Sequence, residues 1–208
     1  LDACGFPLCA GDIMARNPRW CLSLDDWKET FNDWICNGTP EALMNGAIFF
    51  DFRPLHGEAL LAGRLREWLN QRVGAQPKFL HQMAKNALQI RPPLGLLRDF
   101  VTDGGEFPGT IDLKKFGTRP FVDAARIFAL QQGVSATGSA DRLRIAGLKM
   151  RMPEEEVDAI VDGFHFIQLL RLRNQDASAI LDPAGNHPTD RESRDHHPNR
   201  IDPHELND

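Results

Sequence analysis

No apolar run in the chain approaches the roughly 20 residues needed to span a bilayer, which argues against a membrane-embedded protein. The opening stretch LDACGFPLCAGD lacks a basic region ahead of an apolar one, so it does not read as a secretory signal. Cysteine is sparse: Cys4, Cys9, Cys21 and Cys36 all precede residue 37, and no two stand in a C-x-x-C pair. Neither a zinc site nor a disulfide scaffold fits that spacing, and reduced structural thiols in a cytoplasmic protein are expected. An Asp-x-Asp pair is absent, and so is a glycine-rich phosphate loop. The nearest approach to such a loop, Gly138-Ser139-Ala140-Asp141-Arg142, has no strand before it and no carboxylate pair after it. It reads instead as a helix start capped by Ser139. No candidate nucleophile sits in a recognisable elbow, so a Ser-His-Asp or Cys-His catalytic set is not supported.

What is present is an ordinary globular composition, 42% hydrophobic and 25% charged, over 208 residues. That length suits one domain, or one domain with a piece of another. The net charge of −5 disfavours nucleic acid and anionic membrane as partners. The chain opens on apolar Leu1 rather than Met and closes on IDPHELND, a helix start with Asp202 as N-cap and Pro203 at the first helical position. Both ends suggest a piece of a longer protein. An apolar helix face left uncovered by such a cut would favour a homo-oligomer.

Helical periodicity dominates. Ser23 and Asp26 form a capping-box pattern ahead of Trp27, Phe31, Trp34 and Ile35, and Asn37, Gly38 and Pro40 end that helix. AIFFDFR, residues 47–53, predicts a strand with Ile48, Phe50 and Phe52 on one face and Phe49, Asp51 and Arg53 on the other. After Pro54 the pattern predicts helices over 57–73, 77–89, from Pro120, over 138–150 and over 153–175, with an extended TIDLKKFG between them. In the last helix Glu154–Glu156 face the positive end of the dipole, while Arg171 and Arg173 lie near the negative end. Residues 176–200 are polar and proline-bearing and read as a loop or insertion. Their His187, His196 and His197 have no regular metal spacing.

Several groups could carry chemistry. Asp51 is a carboxylate on an apolar segment, the kind of oxygen ligand that hard cations take in two-metal phosphoryl-transfer sites, although an Asp51–Arg53 surface pair is the plainer reading. Asp12, Arg16 and Asn17 cluster in GDIMARNP and could meet phosphate or ribose, or simply make a capped turn. Arg98, Arg119 and Arg126 sit within apolar helical sequence, where arginine suits phosphate groups. Asp99 and Asp123 are ready ion-pair partners for them.

The stretches LDACGFPLCAGDIMARNPRWCLSLDDW, IFFDFRPLHGEALLAGRLREWL, PPLGLLRDFV, TIDLKKFGTRPFVDAARIFAL, FHFIQLLRLRNQ and NRIDPHELND resemble one bacterial family. It is the family of putative nucleotidyltransferases, whose members often carry cyclic-nucleotide-binding and CBS domains in front. They are related to the uridylyl- and adenylyltransferases of nitrogen signalling. The resemblance runs nearly end to end and implies a mainly α fold, a helical bundle preceded by the C-terminal remnant (helices plus one strand) of an α/β nucleotidyltransferase domain. It places that remnant at residues 1–55 and a helical substrate-binding domain at 56–208. It also implies nucleotidyl transfer from an NTP to a protein or small-molecule acceptor, with Mg²⁺ in the complete protein. Asp51 would then be the third carboxylate, acting as catalytic and metal-binding residue. Arg53 would steady the phosphates, and Arg98, Arg119 and Arg126 would help present the acceptor. The family's Gly-Ser loop and Asp-x-Asp pair would lie ahead of Leu1, so the chain alone is expected to be inert. A non-catalytic regulatory or interaction module of a degenerate transferase is the rival reading, and a plain helical scaffold a third.

Overall fold

The computed structural model describes residues 4, 8–9, 11–95, 99–181 and 199–204, with side chains in its last helix described as far as Asp176. Seven α-helices dominate, with one two-stranded sheet among the described residues. The chain divides into two compact units, Leu1–Gln76 and Pro77–Asp208.

In the first unit, α1 (Leu24–Asn37) starts on the capping box read from the sequence: the Asp26 amide donates to Ser23 Oγ at 3.2 Å, and the Ser23 amide to the Asp26 carboxylate at 3.3 Å. Gly38 ends it in the left-handed region (φ 56°) with its N–H on the Trp34 carbonyl. Thr39 then caps a second helix at once. Its hydroxyl accepts from the Ala42 amide at 3.1 Å, and Pro40 takes the first helical position of α2 (Pro40–Phe49). This corrects the strand expected over 47–53. Residues 47–49 are the last turn of α2, Phe50 is its C-cap, and 51–54 leave it as a bend. Gly38 and Pro40 stop one helix, but Thr39-Pro40 also launches another, and its intramolecular hydrogen bonds reach through Phe50. The expected alternation fails with it: Phe50 is 1% exposed, whereas Ile48 is 42% exposed.

Helix α3 (Ala59–Gly74) packs on α1 and buries Leu65, Leu69 and Val73. Phe31 is the centre of this unit's core, with ring centroids of Phe50 at 4.9 Å, Trp27 at 5.3 Å and Trp34 at 5.5 Å. Such aromatic pairs add to the burial term that holds the three helices together. Because α3 belongs to this unit, the compact units divide after Gln76, whereas the resemblance placed its domain boundary at 55/56.

The second unit is a four-helix assembly. α4 (Pro77–Ala87) buries Phe79 and Met83 and packs on α5 (Arg119–Gln131); α5 packs on α6 (Ser139–Lys149), and α6 on α7 (Glu154–Leu181). Ala125, Leu143 and Val161 meet in one cluster, and Ala129, Val134 and Ala146 in another. α6 and α7 approach so closely at Gly147 that a Cβ there would stand 2.6 Å from Val157 Cγ2. The cap of α6 is Gly138, not Ser139, which is already the first helical residue. α7 runs to Leu181, so residues 176–181 are helix rather than loop, and Arg171 and Arg173 are not in its last turn. Residues 182–198, with His187, His196 and His197, lie outside the described residues.

TIDLKKFG is extended only at β1 (Ile111–Asp112). The Asp112 carboxylate then accepts from the Lys114 amide at 2.9 Å and the Lys115 amide at 2.8 Å, starting a π-helical turn over Leu113–Thr118 that leads into α5. β2 (Arg200–Ile201) pairs antiparallel with β1, Ile111 opposite Ile201. Arg171 donates to Asn199 Oδ1 from Nε at 3.1 Å and from Nη2 at 2.9 Å, and Asn174 donates to the Arg200 carbonyl at 2.6 Å. Arg200 itself pairs with Asp103 at 2.7 Å. Asp202 accepts from the His204 amide at 2.8 Å, the capping bond anticipated for that residue.

Candidate functional site: the Asp51 turn

Asp51 is half-buried on the bend that follows α2. Its backbone is fixed by a residue from another helix. Arg66 of α3, 8% exposed, donates from Nη1 to the Phe50 carbonyl and from Nη2 to the Phe52 carbonyl at 2.6 Å. Its guanidinium carbon lies 4.0 Å from the Phe52 ring centroid. Charge-assisted bonds to both flanking carbonyls leave the bend little freedom. Phe50 and Phe52, directed into the aromatic core, hold it from the other side, with Phe52 6.2 Å from Phe31. A rigidly backed carboxylate of this kind can orient a cation or a hydrogen-bond donor. Arg53, next along the chain, is exposed.

Sequence reasoning did not single out Arg66. A signal was there: it is a cation on the same helical stripe as Leu65, Leu69 and Val73, and a charge on a buried stripe requires partners. What the sequence could not give was their identity, since the carbonyls it binds belong to a segment misread as a strand.

The GDIMARNP loop closes on itself. Asn17 donates to the Asp12 carbonyl at 3.1 Å and to its carboxylate at 3.0 Å, and Trp20 Nε1 donates to the same carbonyl at 3.1 Å. Asn17 Oδ1 accepts from the Arg19 amide, capping the short turn Pro18–Trp20. Asp12 takes a positive φ of 52°, a conformation that these bonds hold in place. Arg16 is exposed.

In the second unit Asp123 sits between two of the expected arginines. Arg126 Nη1 is 3.0 Å from one carboxylate oxygen and Arg119 Nε 3.4 Å from the other. Arg126 is 8% exposed, so its charge is largely committed inside the fold, whereas the Arg119 side chain is 54% exposed. Arg98 lies outside the described residues. Among the described residues no group of three His, Cys, Asp or Glu side chains converges as a metal site, so Asp51 does not by itself fit Mg²⁺.

Residues 77–208 match the family model described as Putative nucleotidyltransferase substrate binding domain, and residues 1–41 match Putative nucleotidyltransferase DUF294. The chain belongs to this putative nucleotidyltransferase family, and its second compact unit coincides with the family's substrate-binding domain. No curated protein and no solved structure matched the chain. Among the described residues no helix is long and apolar enough to cross a membrane.

Proposed function

We propose that the chain works within a bacterial, cytoplasmic signal-transduction nucleotidyltransferase, moving a nucleotidyl group from an NTP to an acceptor. Asp51 is its carboxylate at the transfer site, and the second unit presents the acceptor. The observation that carries this reading is the Arg66 clamp: both carbonyls flanking Asp51 are held by one buried guanidinium. Transferases of this class work mainly by positioning and by neutralising charge. A carboxylate with a locked backbone suits that work, and exposed Arg53 beside it suits a phosphate. Mg²⁺ is the expected cation of the complete protein. Since Asp51 alone is not a site for it, further carboxylates from outside the described residues would be required.

The family membership supports the transferase class; the kind of nucleotide and the acceptor go beyond it. The second reading is a non-catalytic regulatory module of a degenerate transferase. Asp51→Asn in the complete protein separates the two. A loss of transfer of 100-fold or more, on the order typical for removal of one electrostatic stabiliser, supports the role of Asp51. Unchanged transfer removes it. No transfer by the unaltered complete protein, with any NTP, favours the regulatory module.

A further inference from the structure

The second unit contains a cavity of about 340 Å³ that none of the expected site residues lines. Three separate stretches of chain build it: the segment after α4, the stretch from Val101 through β1 to Phe116, and β2. It brings together Arg91, Lys115 and Arg200, cations far apart in sequence. Against them stand Asp103 and Asp112.

Both carboxylates are already engaged. Asp103 is paired with Arg200 Nη1 at 2.7 Å, which also donates to Thr110 Oγ1 at 3.1 Å. The Arg200 guanidinium is further fixed 4.2 Å over the Phe107 ring. Asp112 Oδ1 is turned to the amides of Lys114 and Lys115. Arg91 and Lys115 are exposed, and neither is within ion-pair distance of a carboxylate among the described residues. A chain of net charge −5 thus gathers three cations around one cavity, and two of them, Arg91 and Lys115, form no ion pair among the described residues, the Lys115 ammonium resting 4.9 Å from the Phe116 ring centroid. The rest of the wall is largely apolar, with Pro92, Pro93 and half-buried Phe116. Apolar surface set among placed polar groups, at this volume, is a form that small-molecule sites take.

We propose that this cavity binds a small molecule with an anionic head, a phosphate or a carboxylate, and an apolar body. Arg91 and Lys115 hold the head; Phe116 and the two prolines receive the body. Arg200 is the fixed floor, positioned by Asp103. That this ligand is the acceptor for nucleotidyl transfer rests on the transferase reading; the cavity's preference for anions does not.

The test is direct binding to the 208-residue chain, read by isothermal titration and by NMR shifts. The probes are phenyl phosphate, benzoate and inorganic phosphate. Phenyl phosphate or benzoate should bind one to one, at least several-fold tighter than inorganic phosphate, and Arg91→Met/Lys115→Met should weaken that binding at least tenfold. Phe116→Ala should remove the advantage of the ring-bearing probes while leaving inorganic phosphate binding in place. A preference for phenyl phosphate assigns the head as phosphate, and one for benzoate as carboxylate. Failure of both ring-bearing probes to bind at millimolar concentration, or equal binding by the double variant, overturns the site. Arg91 and Lys115 are exposed, so their replacement is not expected to unfold the unit. Transfer activity is not the readout, so a failed Asp51 assignment and a failed cavity assignment remain separate results.

Discussion

The guanidinium of Arg66 lies over the Phe52 ring, 4.0 Å from its centroid, while its nitrogens hold the carbonyls before and after Asp51. One α3 side chain thereby joins the buried core of the first unit to the bend that carries Asp51. Arg66→Ala should leave two carbonyls without that donor and a gap in the core, at a cost of about 2–4 kcal/mol. Arg66→Lys should recover only part of this, because a single ammonium cannot reproduce the two-pronged geometry. All four tryptophans, Trp20, Trp27, Trp34 and Trp68, lie in this unit, so urea unfolding followed by tryptophan fluorescence reports it selectively. A transition midpoint unchanged by Arg66→Ala contradicts the clamp.

Gly147 and Val157 set the spacing of α6 and α7. A methyl on Gly147 would meet Val157 Cγ2 at 2.6 Å, and a β-branched side chain on a helix has little freedom to move aside. Gly147→Ala should therefore destabilise the second unit by about 1–3 kcal/mol. Adding Val157→Ala should relieve the clash, so that the double variant is more stable than the summed single effects predict. Circular dichroism during denaturation measures this, and additive effects would place the cost elsewhere than in this contact.

Asp103 gives the second unit an acid-sensitive fastening. The Gly105 amide, followed by the Arg200 guanidinium, holds its carboxyl below the ordinary value of 3.8. A lowered value in the folded chain means that folding favours the ionised form. The contribution is then complete above the ordinary carboxylate range and fades as pH falls through the lowered value. Loss of the Asp103–Arg200 pair should loosen β2, seen as faster hydrogen exchange of the Leu113 amide, which donates to the Asn199 carbonyl. Asp103→Asn should show the faster exchange already at neutral pH, with the acid-dependent step gone. An acid-dependent step that persists in that variant would assign the effect to another group.

Much of this architecture was legible because helix ends are written locally. Ser23 with Asp26, and the glutamates that open α7, mark their helices within a few residues, and Trp27, Phe31 and Trp34 recur at the spacing of one face. The misreading of 47–53 shows where local reading fails. Three phenylalanines and an isoleucine in seven residues suit a strand, but Thr39 and Pro40 had already committed the chain to a helix, whose end delivers Phe49 and Phe50 to the same aromatic cluster. The site was legible only in part. Asp51 stands out as a carboxylate in apolar sequence, whereas Arg66 becomes informative only once its carbonyl partners are placed. The cavity of the second unit was wholly hidden, because Arg91, Lys115 and Arg200 are each unremarkable in sequence and meet only through the fold.

Arg200 reaches back across 90 positions to Thr110 and 97 to Asp103. Contacts of such separation carry a larger closure entropy than those between neighbouring helices. During synthesis, α4, α5, α6 and most of α7 can therefore pack before the last wall of the cavity emerges from the ribosome. A chain cleaved anywhere between α7 and β2 and stripped of the released segment would keep its helices and lose the cavity floor. Anion binding by this unit thus reports whether β2 has been made and has paired with β1, which helix content does not.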